Sequence, residues 1–163
     1  MSALLALPLD PDAFAPFGDV LAPGDAPIMI NGGRCARHDD LARLAFLGGG
    51  RARIALFRSE PVSLPYLLTL MERHPDGSQA FLPAGPDPWL VTVAPDAGGL
   101  PGTPLAFLVP GGVGVNLLAG VWHGVLTPLD RPADFWVVDR AGPGANLEEH
   151  VLAAPVTIRA EEG

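Results

Sequence analysis

The chain has 163 residues and a formal net charge of −8, with 48% hydrophobic and 17% charged residues. This length predicts a single domain, residues 1–163, and the hydrophobic content excludes intrinsic disorder. The acidic charge excludes a general nucleic-acid binder, because phosphate recognition needs clustered positive charge.

No apolar run reaches the ~20 residues that a membrane helix needs, so a membrane is not an expected partner. The acidic charge likewise makes nucleic acid an unexpected partner. The N-terminal segment MSALLALPLDPDAF lacks the basic region of a secretory signal, which leads us to expect a cytoplasmic protein. One cysteine, Cys35, cannot form an internal disulfide. All basic side chains are arginine, so a lysine Schiff base is excluded.

One short helix is predicted near the N-terminus. Asp10 can accept bonds from first-turn amides, Pro11 sits where its missing N–H costs nothing, and residues 13–17 supply an apolar face. The segment from His38 to Leu47 could form a further turn or two of helix, which the glycines at 48–50 would end.

Short apolar runs between Gly and Pro residues predict nine strands. These are Ala52 to Arg58, Leu67 to Glu72, Gln79 to Leu82, Trp89 to Ala94, Leu105 to Val109, Val113 to Leu118, Val121 to Leu126, Asp134 to Asp139 and Val156 to Arg159. Many short strands with turn signals between them indicate a closed or double-sheet all-β architecture.

The stretch LMERHPDGSQAFLP, residues 70–83, places polar groups at the end of a predicted strand. Alternate residues of a strand face the same side, so Glu72 and His74 point together and Arg73 points away. A buried carboxylate beside an imidazole requires a positive partner or a metal. The turn PDGS would return Gln79 toward the first strand as the second strand of a hairpin.

Two segments resemble the motifs of cupin barrels. The first cupin motif has His-x-His, then Glu and a later Gly, and the second ends in His and Asn. The positions that match the two spacings are Glu72, His74, Gln79 and Gly85 in the first segment, and Gly112, Leu118, Gly120, His123 and Thr127 in the second. The resemblance implies an all-β cupin-type double-stranded β-helix (jelly-roll barrel) with one or two short helices, in which Glu72, His74, Gln79 and His123 converge.

A longer resemblance covers nearly the whole chain, which is similar to the ureidoglycolate lyase (ureidoglycolate hydrolase) family of allantoin degradation in purine metabolism. The matching phrases are PLDPDAFAPFGDVL, Arg37 with residues 40–42, MERHPDGSQAFLP, GVN at 114–116, GVWHGVL at 120–126 and DFWVVDRAG at 134–142. It implies a homodimer that splits ureidoglycolate into glyoxylate and urea with a divalent metal, such as nickel or another transition metal.

The expected site follows from these resemblances. Glu72, His74 and His123 are the catalytic candidates, and the same three with Gln79 are the candidate metal ligands. Arg73, Arg37, Gln79 and Asn116 are the candidates for binding a small carboxylate substrate. The plainer alternatives are a surface ion pair for Glu72 and His74, and a core histidine at 123.

Two other functions fit the same barrel. Family members typically carry polar residues where this chain has Leu117, Leu118, Ala119 and Gly124. This favours, as alternatives, a small-ligand binding or sensor protein without lyase chemistry and a related cupin acting on a different small carboxylate. If no metal is bound, the acid and base chemistry of the site would depend on its side chains alone.

Overall fold

In the computed structural model, which describes residues 3–161, fourteen strands and one helix are formed. The helix is α1 (Pro11–Phe14). The strands are β1 (Ala3–Pro8), β2 (Gly18–Leu21), β3 (Ile28–Ile30), β4 (Cys35–Arg37), β5 (Arg51–Ser59), β6 (Tyr66–Arg73), β7 (Gln79–Pro83), β8 (Trp89–Ala94), β9 (Leu105–Val109), β10 (Gly114–Leu117), β11 (Trp122–His123), β12 (Thr127–Pro128), β13 (Ala133–Ala141) and β14 (Glu148–Arg159). Within the described residues, no helix is long and apolar enough to span a bilayer.

The largest sheet closes on itself. Its order is β11-β6-β14-β1-β9-β8-β12, and β11 also pairs with β8. The two pairings of β11 therefore complete a ring of six strands, which leaves no free edge between β6 and β8. The ring is mixed, because β1 runs parallel to both of its neighbours and the other pairs are antiparallel.

A second sheet, in the order β2-β10-β7-β13-β5, lies across the first. Aromatic and branched side chains from both sheets form one core between them, with Trp89 and Phe107 from the first sheet and Phe81 and Phe135 from the second. Trp89 packs edge-on against Phe135 with ring centroids 5.1 Å apart. The prediction of an all-β, cupin-type barrel with a short helix is confirmed.

The helix forms where the sequence predicts it. The Asp10 side chain accepts a hydrogen bond of 2.8 Å from the amide of Ala13, and Pro11 occupies the first turn. The helix is shorter than predicted and ends at Phe14, the residue that it buries completely. Phe14 packs edge-on against Phe107 and so joins the helix to the core.

The structure corrects the helical expectation for residues 38–47. This segment is irregular and runs along the Asp76–Ser78 turn, where the amide of Ala45 donates to Ser78 Oγ and the amide of Leu47 donates to the carbonyl of Asp76. Asp40 has a positive φ of 56°, outside the helical region. The partners of these backbone groups lie on another loop, so a helix is not needed to satisfy them.

The expected hairpin of β6 and β7 is also wrong. β6 pairs with β14 and β11, whereas β7 pairs with β10 and β13, so the turn after His74 carries the chain from one sheet to the other. Strand boundaries differ as well: the run at 121–126 contributes only Trp122 and His123 to a strand, and β1 to β4 were not predicted.

We expect Phe14→Ala to lower the free energy of unfolding by about 3–5 kcal/mol, because it removes a fully buried ring and leaves a cavity beside Phe107. Urea unfolding at fixed pH measures this change. Leu100→Ala, at a residue that is 53% exposed, should change stability by less than about 0.5 kcal/mol. A Phe14→Ala variant that is destabilised no more than Leu100→Ala would show that the helix does not anchor the core.

Candidate functional site

Three polar side chains converge at one margin of the core between the sheets. His123 on β11 lies opposite Glu72 on β6 and opposite Val93 on β8, a core residue, so that Glu72 and His123 share the inner face. His74 follows β6 directly. One ligand atom from each of the three can be chosen such that all lie within 4.8 Å of one another, and the two imidazole centroids are 5.3 Å apart.

Backbone contacts fix the tautomer of both histidines. His74 Nδ1 lies 2.8 Å from the carbonyl oxygen of Asn146, and His123 Nδ1 lies 2.9 Å from that of Gly124. A carbonyl oxygen only accepts, so each Nδ1 carries a hydrogen, and in the neutral form of each ring the lone pair is on Nε2. Both Nε2 atoms are buried and have no hydrogen-bond partner within residues 3–161.

The charges at the site follow from burial. Burial lowers the pKa of His123 to about 4, and the nearby His74 adds to this effect, so His123 is neutral at pH 7. Burial raises the pKa of the Glu72 carboxyl above its usual range. The attraction of His74 offsets part of that rise, and repulsion from Glu149 adds to it. The ionised form of Glu72 is therefore costly unless a cation lies close by.

These observations fit a divalent metal. Two imidazoles whose buried Nε2 atoms have no hydrogen-bond partner among the described residues, together with one carboxylate, are ligands that nickel, zinc and manganese accept. The hydrogen bonds from Nδ1 to backbone carbonyls are the usual outer contacts of metal-binding histidines. Gln79 lies on β7 opposite Leu117, on the same inner face, and its buried Oε1 also has no partner among the described residues.

Three other predicted residues lie elsewhere. Arg73 points away from Glu72, stacks 4.5 Å over the Trp122 ring and forms ion pairs with Asp96 and Glu148. Alternation along β6 gives Arg73 this direction. The structure does not bring Arg73 into the group that His74 and Glu72 form.

Arg37 and Asn116 are also separate from this group. Arg37 is exposed on β4, which pairs with β3, and it forms an ion pair with Asp39. Asn116 is fully buried, but alternation along β10 directs it away from the core, where its Nδ2 donates to Asp19 and to the carbonyl of Arg43.

A cavity of about 240 Å³ adjoins His74 and contains groups that the sequence analysis did not assign to the site. It is lined by Arg53, His74, Ser78, Asp139, Arg140, Asn146 and Leu147. Asp139 follows the core residues Phe135 and Val137 at intervals of two on β13. This period-two pattern, in the sequence DFWVVDR, was the signal for an inward carboxylate.

The pH dependence of stability tests the buried, neutral His123. The pKa of His123 is about 4 in the folded chain, compared with an ordinary value of 6.5. Between these two pH values the unfolded chain binds a proton at this histidine and the folded chain does not. Its contribution to stability is complete above pH 6.5 and is lost as the pH falls toward 4.

The full loss is roughly 3 kcal/mol, at about 1.36 kcal/mol per pKa unit. We expect the free energy of unfolding of the chelator-treated wild type to fall between pH 7 and pH 4. The fall should exceed that of the His123→Gln variant by up to this amount. Urea titration at each pH measures both. Parallel pH profiles would contradict this environment for His123.

Comparison with known proteins places the chain in a family. The family model described as ureidoglycolate lyase matches residues 1–159. The ureidoglycolate lyase of Rhodobacter capsulatus is 53% identical, over 97% of this chain and 99% of its own length. Ureidoglycolate lyase 2 of Rhizobium meliloti is 50% identical, over 93% and 94%, and the ureidoglycolate lyase of Chelativorans is 47% identical, over 99% of each chain. This protein, with its inward Glu72, His74 and His123, belongs to the ureidoglycolate lyase family.

Proposed function

We propose that this protein eliminates urea from ureidoglycolate and leaves glyoxylate, acting as a single cupin-like domain over residues 1–163. The observation that carries the proposal is the convergence of Glu72 with two buried imidazole nitrogens that have no hydrogen-bond partner among the described residues. Family membership supplies the substrate, since relatives named ureidoglycolate lyase align along nearly their whole length. The cytoplasmic location expected from the sequence stays a prediction.

The reaction needs a base, a proton donor and no water. The central carbon of ureidoglycolate bears a hydroxyl group, a carboxylate and a urea nitrogen. Removal of the hydroxyl proton lets the oxygen form an aldehyde carbonyl while the bond from carbon to nitrogen breaks. The departing nitrogen takes up one proton, so that the products are glyoxylate and urea and the site returns to its starting protonation state.

We assign the proton transfer to Glu72. Burial raises its pKa, which makes it a stronger base for the hydroxyl proton than a solvated carboxylate. The same carboxyl, once protonated, can deliver the proton to the urea nitrogen. His123 stays neutral, because its pKa is about 4, and its Nδ1–H bond to the Gly124 carbonyl holds its orientation.

A divalent cation such as nickel would be held by His74 and His123, with Gln79 as a further oxygen donor. Glu72 would be either a fourth ligand or the base, because a cation bound to its carboxylate would lower the raised pKa on which its basicity depends. When bound, the cation would supply Lewis acidity toward the substrate oxygens. His74 is kept in place by its contact with the Asn146 carbonyl, which uses Nδ1 and so leaves Nε2 available as a metal ligand. The neutral Gln79 amide is the weakest donor of the four.

The binding-protein alternative rests on four nonpolar residues near the site, and the structure gives two of them, Leu117 and Gly124, packing roles. Leu117 belongs to the core between the sheets. Gly124 lies against Leu68 and Thr92, where an added Cβ would approach Leu68 to 3.2 Å. The inward polar side chains of Glu72, His74 and His123 are nevertheless present, and they favour the lyase.

We expect Glu72→Gln to reduce the rate of glyoxylate release by about 10²–10⁴-fold, in the range of a lost general base. The assay uses purified protein and ureidoglycolate, with nickel, manganese or zinc added in turn, and subtracts spontaneous decay. The melting temperature should be unchanged or raised, because the substitution replaces a carboxylate whose ionised form is disfavoured by burial.

The exposed Glu60 supplies the control, and Glu60→Gln should retain full turnover. Retained turnover in Glu72→Gln would remove Glu72 from the mechanism. Wild-type release no faster than the background with every metal would favour the binding protein.

We also propose that the protein is a homodimer, as the family resemblance implies. On the outer face of the second sheet, Trp136 lies opposite Leu56 on one side and Leu82 on the other, and Ile54 follows in the next row. These residues are 51%, 48%, 39% and 71% exposed, in that order. A contiguous apolar patch of this kind is typical of an interaction surface, and a second copy of the chain could cover it.

We expect Trp136→Glu to convert dimers to monomers in sedimentation equilibrium, because it places a charge in the centre of this apolar row. Leu100→Glu introduces the same charge at a residue that is 53% exposed in a turn of the first sheet, and it should leave the assembly unchanged. A Trp136→Glu variant that still sediments as a dimer would place the interface on another surface.

A further inference from the structure

We propose that the cavity beside His74 is the binding site for the substrate carboxylate and that Arg53 is the residue that binds it. This inference rests on the proposed function, since it assigns a subsite to the same reaction. It replaces Arg37 and Arg73, whose ion pairs hold them at other surfaces.

The position of Arg53 follows from strand register. Arg53 on β5 lies opposite Asp139 on β13, two residues beyond Val137, a core residue on the inner face. Arg53 Nε and Nη2 donate to the two carboxylate oxygens of Asp139, each at 2.9 Å. This paired contact fixes the plane of the guanidinium group.

One edge of the Arg53 guanidinium is free for a second anion. A guanidinium has five N–H donors, and the contact with Asp139 uses one from Nε and one from Nη2. Arg53 makes no other hydrogen bond within residues 3–161, and its side chain is half exposed and lines the cavity. A fixed plane with spare donors suits a second carboxylate.

Arg140 gives the cavity a positive balance. Its Nε and Nη2 donate to the backbone carbonyls of Leu47, Gly48 and Pro143, and it forms no ion pair among the described residues. The cavity wall therefore carries two arginines and one aspartate, a net formal charge of +1. An acidic protein with this local excess can attract a small carboxylate to one place.

The size and neighbours of the cavity suit a compact substrate. At about 240 Å³, the cavity has room for a small carboxylate. His74, which lines the cavity, is also one of the three converging side chains. A carboxylate held on Arg53 would place the rest of a short molecule in the same cavity as His74.

The test measures binding and turnover separately. Oxamate, an unreactive two-carbon carboxylate, is titrated into chelator-treated protein and its dissociation constant is measured by NMR. We expect Arg53→Ala to weaken oxamate binding at least about tenfold, and to raise KM for ureidoglycolate by a similar factor, because a charge-assisted contact is lost. Arg53→Lys, which keeps the charge without the paired geometry, should fall between Arg53→Ala and wild type.

Arg131 supplies the control. It forms an ion pair with Asp87, its side chain is 71% exposed, and it lines neither the cavity beside His74 nor the one that Glu72 lines. Arg131→Ala should leave oxamate binding and KM within about twofold of wild type.

Removal of Arg53 also leaves Asp139 without its partner, and a second variant separates that effect. Arg53→Ala combined with Asp139→Asn should still bind oxamate at least about tenfold more weakly than wild type. Wild-type affinity in this double variant, or in Arg53→Ala alone, would overturn the proposal.

The two measurements also distinguish the carboxylate site from the lyase reaction. Oxamate binding that depends on Arg53, in a protein without lyase activity, would support the site and contradict the reaction. Lyase activity with an unchanged KM in Arg53→Ala would support the reaction and overturn the site.

Discussion

The pairing of two-residue strand β11 with both β6 and β8 is the constraint on which the site depends. It closes the ring of six strands and, in the same contact, places His123 opposite Glu72. The ring and the polar cluster are therefore products of one set of backbone hydrogen bonds. A shift of β11 by one residue would turn His123 to the other face and bring Trp122 in its place.

The burial of Glu72, His74 and His123 costs free energy both through unmade hydrogen bonds and through charge. Buried imidazoles with unpartnered Nε2 atoms and a buried carboxylate each cost free energy when they stand alone. A bound cation would satisfy all three at once. In the proposed carboxylate site, the two arginines of the cavity wall would provide positive charge for the substrate without forming a hydrogen bond to either histidine.

Much of this site could be predicted from the sequence, because its central residues sit on regular strands. Alternation placed Glu72 and His74 together, and motif spacing added His123. Arg53 and Asp139 were missed although both lie in predicted strands, because a sequence does not reveal that β5 and β13 pair in the register that joins them. Arg73 was misplaced for the related reason that its position beside His74 along the chain puts it on the opposite face.

Residues 38–47 show where local patterns fail. An apolar, charged stretch predicted helical turns, but its amides bond to the loop at 76–78, which the chain reaches thirty residues later. Contacts between segments so distant along the chain outweigh a weak local preference.

The contacts of Asn146 link the site to the order in which the chain is made. Its carbonyl accepts from His74 Nδ1, and its side-chain oxygen accepts from the amide of Asp76, so both ends of the loop after β6 are held by a residue near the C-terminus. On the ribosome, His74 and Asp76 emerge long before Asn146 does. The imidazole therefore acquires this contact only after residue 146 has been made, and a nascent chain released before that point would carry the three converging side chains without the carbonyl that orients His74.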